Sequence, residues 1–297
     1  MKKILITGSN GFIGKNLVQS LLSKYTIVEL SRQKKRGKLN YITKDISKIT
    51  SKDCKNIFCV IHLAAMTDPK VCGDFPDQCI TTNVFGTQKM LEAARKNNCK
   101  VIYVSTSHVY GLSKKLPINE TTKTSPISIY GGSKLAGEIL CESYHKQFNM
   151  DISILRIFSA YGPESDDHFV LSNIVTQLEN SNIIKLGNIN SKRDFIFISD
   201  VINAFKIILN NINGFNIYNV GTGKSYSIKE ICKKFEKLYG KKIIIKNNLK
   251  RNGKFDAKNI VCDATKLKKL GWKPKISIEQ GLKKLIIIKK EIKCFII

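Results

Sequence analysis

Three glycines constrain this chain most, because they lie directly between a short apolar strand and an amphipathic helix. The segment reads KKILITGSNGFIG, and the helical pattern continues to about Ser23. In such a unit Gly8 permits a tight turn, Gly11 lets the backbone approach a pyrophosphate, and Gly14 allows the helix to pack closely on the strand. The free N–H groups at the start of the helix favour phosphates. The spacing therefore predicts a dinucleotide-binding turn.

Strands and helices alternate along the first half of the chain. Apolar strands are predicted at 26–30, 57–64, 100–106 and 152–158, and helices at about 77–97 and 130–147. This alternation is typical of a parallel sheet covered by helices on both faces, with ligands bound beyond the carboxyl ends of the strands. The sequence therefore predicts an α/β fold with a Rossmann-type doubly wound parallel sheet.

The pattern changes after Tyr161, where short strands, loops and helices mix. We therefore predict a Rossmann domain over 1–165 and a smaller mixed α/β substrate domain at the C-terminus, over 166–297. Segments at about 192–220 are candidates to pack back on the first domain.

The chain is strongly basic, with 50 Lys plus Arg against 23 Asp plus Glu and a formal net charge of +27. Such a charge suits a partner that carries phosphates. The basic residues are scattered, however, and the sequence has no helix-turn-helix, zinc-finger or aromatic–basic RNA-binding motif. We therefore expect a small anionic ligand, such as a dinucleotide or a nucleotide diphosphate, and no nucleic acid.

Apolar runs and cysteines indicate the compartment. No apolar run reaches the ~20 residues that span a bilayer, and the first one stops at Gly8, too early for a signal peptide. The nine cysteines are odd in number and form no CxxC pair, which disfavours a disulfide framework or a zinc site. We expect a cytoplasmic protein with reduced thiols, no membrane partner and no metal.

The end of the second strand indicates which dinucleotide binds. An acidic residue there would bind the ribose 2′-OH of NAD, whereas an Arg suits the 2′-phosphate of NADP. Glu29 falls before the strand end, so Ser31 and Arg32, followed by the basic residues of 34–36, are expected to meet the ribose. NADP(H) is therefore favoured over NAD(H). The alternative is that Arg32 is a solvated surface charge and that Glu29 serves NAD.

Tyr130 and Lys134 are spaced to lie on one face of a helix. A free tyrosine has a pKa of ~10, so proton exchange near neutrality requires a decrease of ~3 units, or ~4 kcal/mol. One cation ~4 Å away supplies about that energy at an effective dielectric of ~20. Strand 100–106 leads into Ser105, Thr106 and Ser107, on the edge where ligands bind, and a hydroxyl there can bond the reacting sugar oxygen.

With these features the chain resembles the extended short-chain dehydrogenase/reductases, the family of nucleotide-sugar epimerases, dehydratases and ketoreductases. The matching segments, in the family's order, are TGSNGFIG (7–14), Asp45-Ile46, HLAA (62–65), NVFGT (83–87), STSHVYG (105–111), PISIYGGSKLAGE (126–138), LRIFSAYGP (155–163), KRDFIFISDV (192–201), NVGTG (219–223) and LGWKP (270–274). Together they cover nearly the whole chain.

The resemblance implies roles for individual residues. Thr106, Tyr130 and Lys134 match the catalytic Thr/Ser, Tyr and Lys. The candidate cofactor residues are Gly8, Asn10, Gly11, Phe12, Ile13, Gly14, Ser31, Arg32, Asp45, Ile46, Leu63, Ala64, Ala65, Tyr130 and Lys134. The candidate substrate residues are Ser107, His108, Tyr130, Ser159, His168, Arg193 and Arg251. For the two arginines the alternative is a surface charge, and for the two histidines a solvated or packed ring.

Two positions depart from the family's dehydratases, which carry Asp-Glu between the catalytic Thr and the VYG segment. This chain has Ser107 and His108 there. Without the acid pair, elimination of a hydroxyl from C5–C6 lacks its proton donor and its base, so a 4,6-dehydratase is disfavoured. His108 is then a candidate acid or base. His168 lies near the position of an acid/base His in the GDP-fucose synthase branch.

We expect an NADPH-dependent 4-keto reductase of a nucleotide-activated deoxysugar, in which Tyr130 donates the proton, Thr106 orients the oxygen and Lys134 holds the nicotinamide ribose. The alternative is a nucleotide-sugar 4-epimerase of the UDP-glucose type with tightly bound NAD. A third possibility, from another class, is a non-catalytic or RNA-associated member that kept the fold. The expected partner is a nucleotide-diphosphate sugar, and the resemblance implies a homodimer through helices near 85–97 and 130–147.

Overall fold

The computed structural model describes residues 1–33, 40–247 and 257–294. The chain divides into two compact units, each built from separate stretches of sequence. The first unit comprises Met1–Gly111, Lys123–Ile157 and Ile202–Asn219, and the second comprises Leu112–Thr122, Phe158–Val201 and Val220–Ile297. The domain limits given by the sequence, 1–165 and 166–297, stay a prediction.

A seven-stranded sheet forms the centre of the first unit. Its strands are β1 (Lys3–Thr7), β2 (Thr26–Ser31), β3 (Tyr41–Thr43), β4 (Cys59–His62), β5 (Lys100–Thr106), β6 (Ile152–Ile157) and β11 (Phe215–Val220). They lie in the order β11-β6-β5-β4-β1-β2-β3, and the pairs among β1 to β6 are parallel. The order reverses between β1 and β4, which is where doubly wound sheets bind ligands. The predicted Rossmann-type fold is confirmed.

Ten α-helices lie in the described residues. They are α1 (Phe12–Leu21), α2 (Pro69–Asp74), α3 (Pro76–Ile80), α4 (Gly86–Arg95), α5 (Ile129–Phe148), α6 (Val170–Asn180), α7 (Ile198–Asn211), α8 (Ile228–Tyr239), α9 (Thr265–Lys268) and α10 (Ile278–Cys294). The central strands are buried on both faces, as in Ile4 and Ile61. This explains why they are apolar at nearly every position.

The helix predicted over about 77–97 is interrupted. A π-helical turn, Thr81–Phe85, separates α3 from α4. Asn83, at its centre, is fully buried, and its amide bonds both the N–H and the carbonyl of Met66 and the hydroxyl of Ser133. These polar contacts are long-range, so the helical periodicity of the sequence did not indicate the break.

The second unit contains three small sheets. They are β7 (Ser159–Tyr161) with β10 (Phe195–Phe197), β9 (Lys192–Arg193) between β12 (Tyr226–Ser227) and β14 (Asn259–Ile260), and β8 (Ile183–Leu186) with β13 (Ile244–Asn247). Between β9 and β10, the buried carboxylate of Asp194 accepts the N–H groups of Thr222, Gly223 and Cys262. Mixed short strands and helices agree with the pattern predicted for this part of the chain.

The part of the chain that the structure describes holds no helix long and apolar enough to cross a membrane. The eight cysteines from Cys54 to Cys262 that it describes are buried and free of disulfides. Over the same residues no group of three or more His, Cys, Asp or Glu side chains could hold a metal ion.

Trp272 anchors the LGWKP segment in the second unit. The side chain is fully buried, and its indole N–H donates to the carbonyl of Asp200 at 3.0 Å. The Asp200 carboxylate in turn accepts the N–H groups of Lys275 and Ile276, each at 3.0 Å. The turn before α10 is therefore fixed by both apolar burial and hydrogen bonds.

We predict that Trp272→Ala lowers the free energy of unfolding by about 3–5 kcal/mol, because it opens a large cavity and removes the indole N–H that donates to the Asp200 carbonyl. Chemical denaturation followed by far-ultraviolet circular dichroism measures this. The matched control is Leu238→Ala, on an exposed face of α8, for which the change is expected to stay within about 0.5 kcal/mol. Equal free energies of unfolding for Trp272→Ala and Leu238→Ala would contradict the anchoring role of Trp272.

Candidate active site

The glycine turn brings β1, α1 and the loop after β4 into close contact. Gly8 has a φ of +72°, and a Cβ there would lie 2.7 Å from the backbone nitrogen of Ala64. A Cβ on Gly14 would lie 2.4 Å from the carbonyl oxygen of Gly8. Helix α1 begins after Gly11 with no side-chain cap and no acidic residue in its first turn. Its N–H groups are therefore available to an anion.

Two buried polar atoms in this turn fit a bound dinucleotide. Ser9 Oγ and Asn10 Oδ1 are buried and find no hydrogen-bond partner within the described residues. The amide nitrogen of Asn10 donates to the hydroxyls of Ser31 and Tyr41, both at 3.0 Å. Asn10 thus bonds Ser31 and Tyr41 through its amide nitrogen, while its own amide oxygen and the Ser9 hydroxyl stay unpaired. Phe12 is buried and Ile13 half-buried behind it.

Arg32 and Asp45 lie at the edge predicted to hold the ribose. Burial raises the pKa of Asp45, but hydrogen bonds from Ser47 and the positive charges of Arg32 and Lys48 outweigh it, so that this pKa is lowered. The Arg32 charge is therefore offset by a carboxylate of the chain itself. Ile46, which follows Asp45, is buried. The basic residues 34–36 lie outside the described residues.

The loop after β4 lies directly beside the glycine turn. The backbone N–H of Leu63 donates to the carbonyl of Thr7 at 3.1 Å, and that of Ala64 donates to its hydroxyl at 3.2 Å. The Thr7 hydroxyl also bonds Nδ1 of the buried His62 at 2.7 Å. Leu63, Ala64 and Ala65 are each half-buried, which leaves part of their surface to line a crevice.

Thr106 and Tyr130 meet where β5 ends and α5 begins. Burial raises the pKa of Tyr130 to about 12, against the effect of a hydrogen bond with Thr106. The ring of His108 packs edge-on against Tyr130, with ring centroids 5.4 Å apart, and is exposed on its other side. Ser107 is buried between Thr106 and His108. These residues place two hydroxyls and an imidazole around one point.

Lys134 lies one turn along the same face of α5 and is only 3% exposed. Its Nζ lies 4.1 Å from the centre of the Tyr103 ring, and the Tyr103 hydroxyl donates to its carbonyl at 3.2 Å. Burial lowers the pKa of Lys134 to about 8, against the opposing charge of Glu138. The sequence predicts that the Lys134 charge brings the Tyr130 pKa toward neutrality, but in the protein alone it stays high, because burial outweighs the hydrogen bond with Thr106.

Sequence reasoning missed two polar groups at this site. Ser133 donates to the carbonyl of Tyr130 at 2.8 Å and accepts from Asn83 at 2.9 Å, which fixes the first turn of α5. Glu138 forms a buried ion pair with Arg156 at 2.6 Å. The sequence does contain an indication of Glu138, because it follows Lys134 by four residues within the SKLAGE segment and so lies on the same face of the helix.

The remaining predicted substrate residues belong to the second unit. Ser159 lies in β7, and its N–H donates to the carbonyl of Asp194 at 3.0 Å. Arg193 donates to the carbonyls of Lys192 and Ala257, and burial lowers its pKa to about 10. His168 stacks on Phe169, with ring centroids 4.0 Å apart. Arg251 lies outside the described residues. The substrate roles of these residues stay predictions.

Comparison with known proteins identifies the family. The family model described as GDP-mannose 4,6 dehydratase matches residues 5–285. The chain belongs to this family and therefore to the extended short-chain dehydrogenase/reductases, as the sequence predicts. It is an enzyme of the nucleotide-sugar epimerase and dehydratase type.

Individual relatives are similar over nearly their whole length. The chain is 31% identical to UDP-glucuronate 4-epimerase of Thermodesulfobacterium geofontis, over 97% of this chain and 96% of that protein. Bacillus cereus UDP-glucuronic acid 4-epimerase, solved with UDP-glucuronic acid and NAD, is 30% identical with a TM-score of 0.91, covering 98% and 99% of the two chains. MoeE5, solved with UDP-glucose and NAD, is 26% identical with a TM-score of 0.91 and the same coverage.

The prediction that NADP(H) is favoured over NAD(H) is wrong. Both of these solved neighbours hold NAD. The physical reason lies in Arg32, which the sequence predicts to meet a 2′-phosphate. In the structure the charge of Arg32 acts on Asp45, so a basic residue at the end of β2 does not by itself indicate a phosphate.

We predict that Lys134→Met raises the free energy of unfolding by roughly 1–3 kcal/mol near pH 7. The folded pKa of about 8 lies below the ordinary 10.5, so the folded state disfavours the charged lysine. This cost disappears as the pH rises from about 8 to 10.5, and the advantage of the variant should disappear with it. Chemical denaturation across this range measures the difference.

The matched control is Lys146→Met, on an exposed part of the same helix. It should show no comparable dependence on pH. A Lys134→Met difference that stays constant from pH 7 to pH 10.5 would contradict the assigned pKa.

Proposed function

We propose that the protein is a nucleotide-sugar 4-epimerase that retains NAD and acts on a UDP-hexose. The observation that carries this proposal is the Thr106–Tyr130–Lys134 set beside Ser107 and His108. The set suits removal and return of hydrogen at one carbon, whereas the acid pair needed for elimination from C5–C6 is replaced by a hydroxyl and an imidazole. The NAD-bound UDP-sugar neighbours support the choice of cofactor and substrate.

The chain's own residues then perform the proton transfer. The phenolic oxygen of Tyr130 accepts the proton of the sugar C4 hydroxyl and later returns it. Thr106, which bonds the phenol, orients that hydroxyl. The Lys134 ammonium favours the ionised phenol and would hold the nicotinamide ribose. Bound NAD supplies the hydride acceptor and a positive ring charge that offsets the burial of the phenol.

The glycine turn fits this cofactor. The uncapped start of α1 would receive the pyrophosphate, and the buried, unpaired Ser9 hydroxyl and Asn10 amide oxygen would gain partners. Ser31 and Arg32 would lie at the adenosine ribose, with Asp45 and Ile46 beside the base. Leu63, Ala64 and Ala65 would line the opposite wall.

The 4-keto reductase expected from the sequence shares the same catalytic residues and is the less supported candidate. The main support for a reductase is the NADPH preference predicted from Arg32, and that prediction is wrong. A reductase and an epimerase differ only in cofactor handling, because an epimerase returns the hydride it removes whereas a reductase consumes its cofactor.

We also propose that the protein forms a homodimer. Phe85, at the start of α4, and Ile139, on α5, leave 58% and 57% of their surface exposed. Large apolar side chains exposed on adjacent helices suit a self-complementary interface. This supports the predicted use of the segments near 85–97 and 130–147.

We predict that the purified protein interconverts UDP-glucose and UDP-galactose without added cofactor and without net change in the absorbance of reduced nicotinamide. Tyr130→Phe should lower the turnover number by about 10²–10⁴-fold, because the proton acceptor is lost. The control is Tyr144→Phe, further along α5, which should turn over like the parent protein. Stoichiometric consumption of NADPH with a 4-keto sugar, and no interconversion, would overturn the proposal.

We predict that mass spectrometry of the nucleotides that co-purify with the protein finds NAD. Gly14→Ala should remove it, because the new Cβ would collide with the carbonyl of Gly8 and displace the turn. Gly73→Ala is the matched control, since a Cβ there meets nothing within 4 Å, and it should retain the nucleotide. NADP in place of NAD would contradict the proposal.

A further inference from the structure

One buried carboxylate beside the catalytic set has no place in the mechanism above. Tyr130, Lys134 and Glu138 are spaced by four residues, so all three lie on one face of α5. Glu138 is only 4% exposed. A carboxylate at that depth requires partners, because burying an unpaired charge costs several kcal/mol.

The partners of Glu138 come from the strands beneath α5. Arg156 donates its Nε to Oε1 at 3.0 Å and its Nη2 to Oε2 at 2.6 Å, and the Ser105 hydroxyl also donates to Oε1. Ser105 and Arg156 lie directly opposite each other on β5 and β6. Ser105 immediately precedes Thr106. Glu138 therefore ties the catalytic end of β5 to the catalytic helix.

The far side of Arg156 is also paired. Its Nη1 donates to the hydroxyl of Tyr110 at 2.9 Å, and that hydroxyl donates to Asn219 at 2.7 Å. The cluster is thus an ordered network rather than an isolated ion pair. Buried ion pairs contribute little net stability compared with apolar replacements, so an ordered one next to a site suggests another purpose.

Charge also connects Glu138 to Lys134. The groups that face the buried ammonium come from four elements. They are Glu138 and Cys141 on α5, Cys79 on α3, the ring of Tyr103 on β5 and the imidazole of His62 on β4. His62 is neutral, since burial lowers its pKa to about 3, and burial raises the pKa of the Cys141 thiol. Glu138 is the carboxylate of this set.

We propose that Glu138 is a positioning residue of the catalytic set, which holds Thr106 against α5 through Ser105 and supplies the negative charge that keeps the Lys134 ammonium in a dry site. The inference rests on the proposed use of Tyr130 and Lys134 in hydride transfer. It does not depend on which nucleotide sugar turns over, or on whether the reaction is epimerisation or reduction.

The first test is the pH profile of the holoenzyme. Glu138→Gln keeps the shape and removes the charge, so Lys134 should lose its proton more readily. The high-pH limb of the kcat–pH profile should move to lower pH by about two units, the size expected for a unit charge ~5.4 Å (one helical turn) away at an effective dielectric of ~20. Glu142→Gln, on the exposed side of α5, is the matched control and should leave the limb in place.

Ser105→Ala separates positioning from charge. It removes the hydroxyl that bonds Glu138 but leaves every charge, so kcat should fall about tenfold with little change in KM and no shift of the high-pH limb. Wild-type kcat in Ser105→Ala would overturn the positioning part of the proposal. This variant also serves if Glu138→Gln fails to fold.

A second readout needs no activity. The stability difference between each parent and its Lys134→Met variant reports the protonation of Lys134, and it should change at lower pH in the Glu138→Gln background than in the wild type. The proposed charge effect of Glu138 on Lys134 is wrong if wild type and Glu138→Gln coincide in two curves. These are the pH dependence of the Lys134→Met stability difference and the high-pH limb of the kcat–pH profile. If the stability curves separate as expected while UDP-hexoses do not turn over, the proposed function fails and the role of Glu138 stands.

Discussion

A buried ammonium on α5 is the group on which the arrangement of the site depends. The role proposed for Lys134 requires its ammonium form, yet burial works against that charge. The surrounding structure offsets the cost with the face of the Tyr103 ring and the carboxylate of Glu138. The long-range contacts among β5, β6 and α5 are therefore as much a part of the site as the residues that would meet substrate.

The glycine turn imposes the second constraint, which is steric rather than electrostatic. At Gly8 and Gly14 the backbone of α1 approaches its neighbours so closely that a single extra carbon would overlap backbone atoms. That approach leaves the N–H groups at the start of α1 uncapped and the Ser9 hydroxyl unpaired. The chain thus forgoes local hydrogen bonds at a turn where a phosphate could replace them.

The parts of the molecule that follow local rules could be predicted from the sequence. Apolar strands, helical periodicity and glycine spacing depend on near neighbours, so the doubly wound sheet was correctly expected. The break at Asn83 and the pairing of Glu138 with Arg156 depend on residues that meet only after folding. Arg32 shows the same limit, because its effect depends on Asp45, thirteen positions further along the chain.

Burial acts in opposite directions on the two groups proposed to be catalytic, Tyr130 and Lys134. Burial raises the pKa of Tyr130 to about 12 and lowers that of Lys134 to about 8, so near neutral pH the pair rests as a neutral phenol beside an ammonium. That state cannot accept a proton from an alcohol until further positive charge enters the crevice. An oxidised nicotinamide ring is such a charge, whereas a reduced ring is neutral. In the proposed epimerase, hydrogen removal from the sugar would therefore be coupled to the oxidation state of the bound cofactor, so that each cycle would begin from the alcohol.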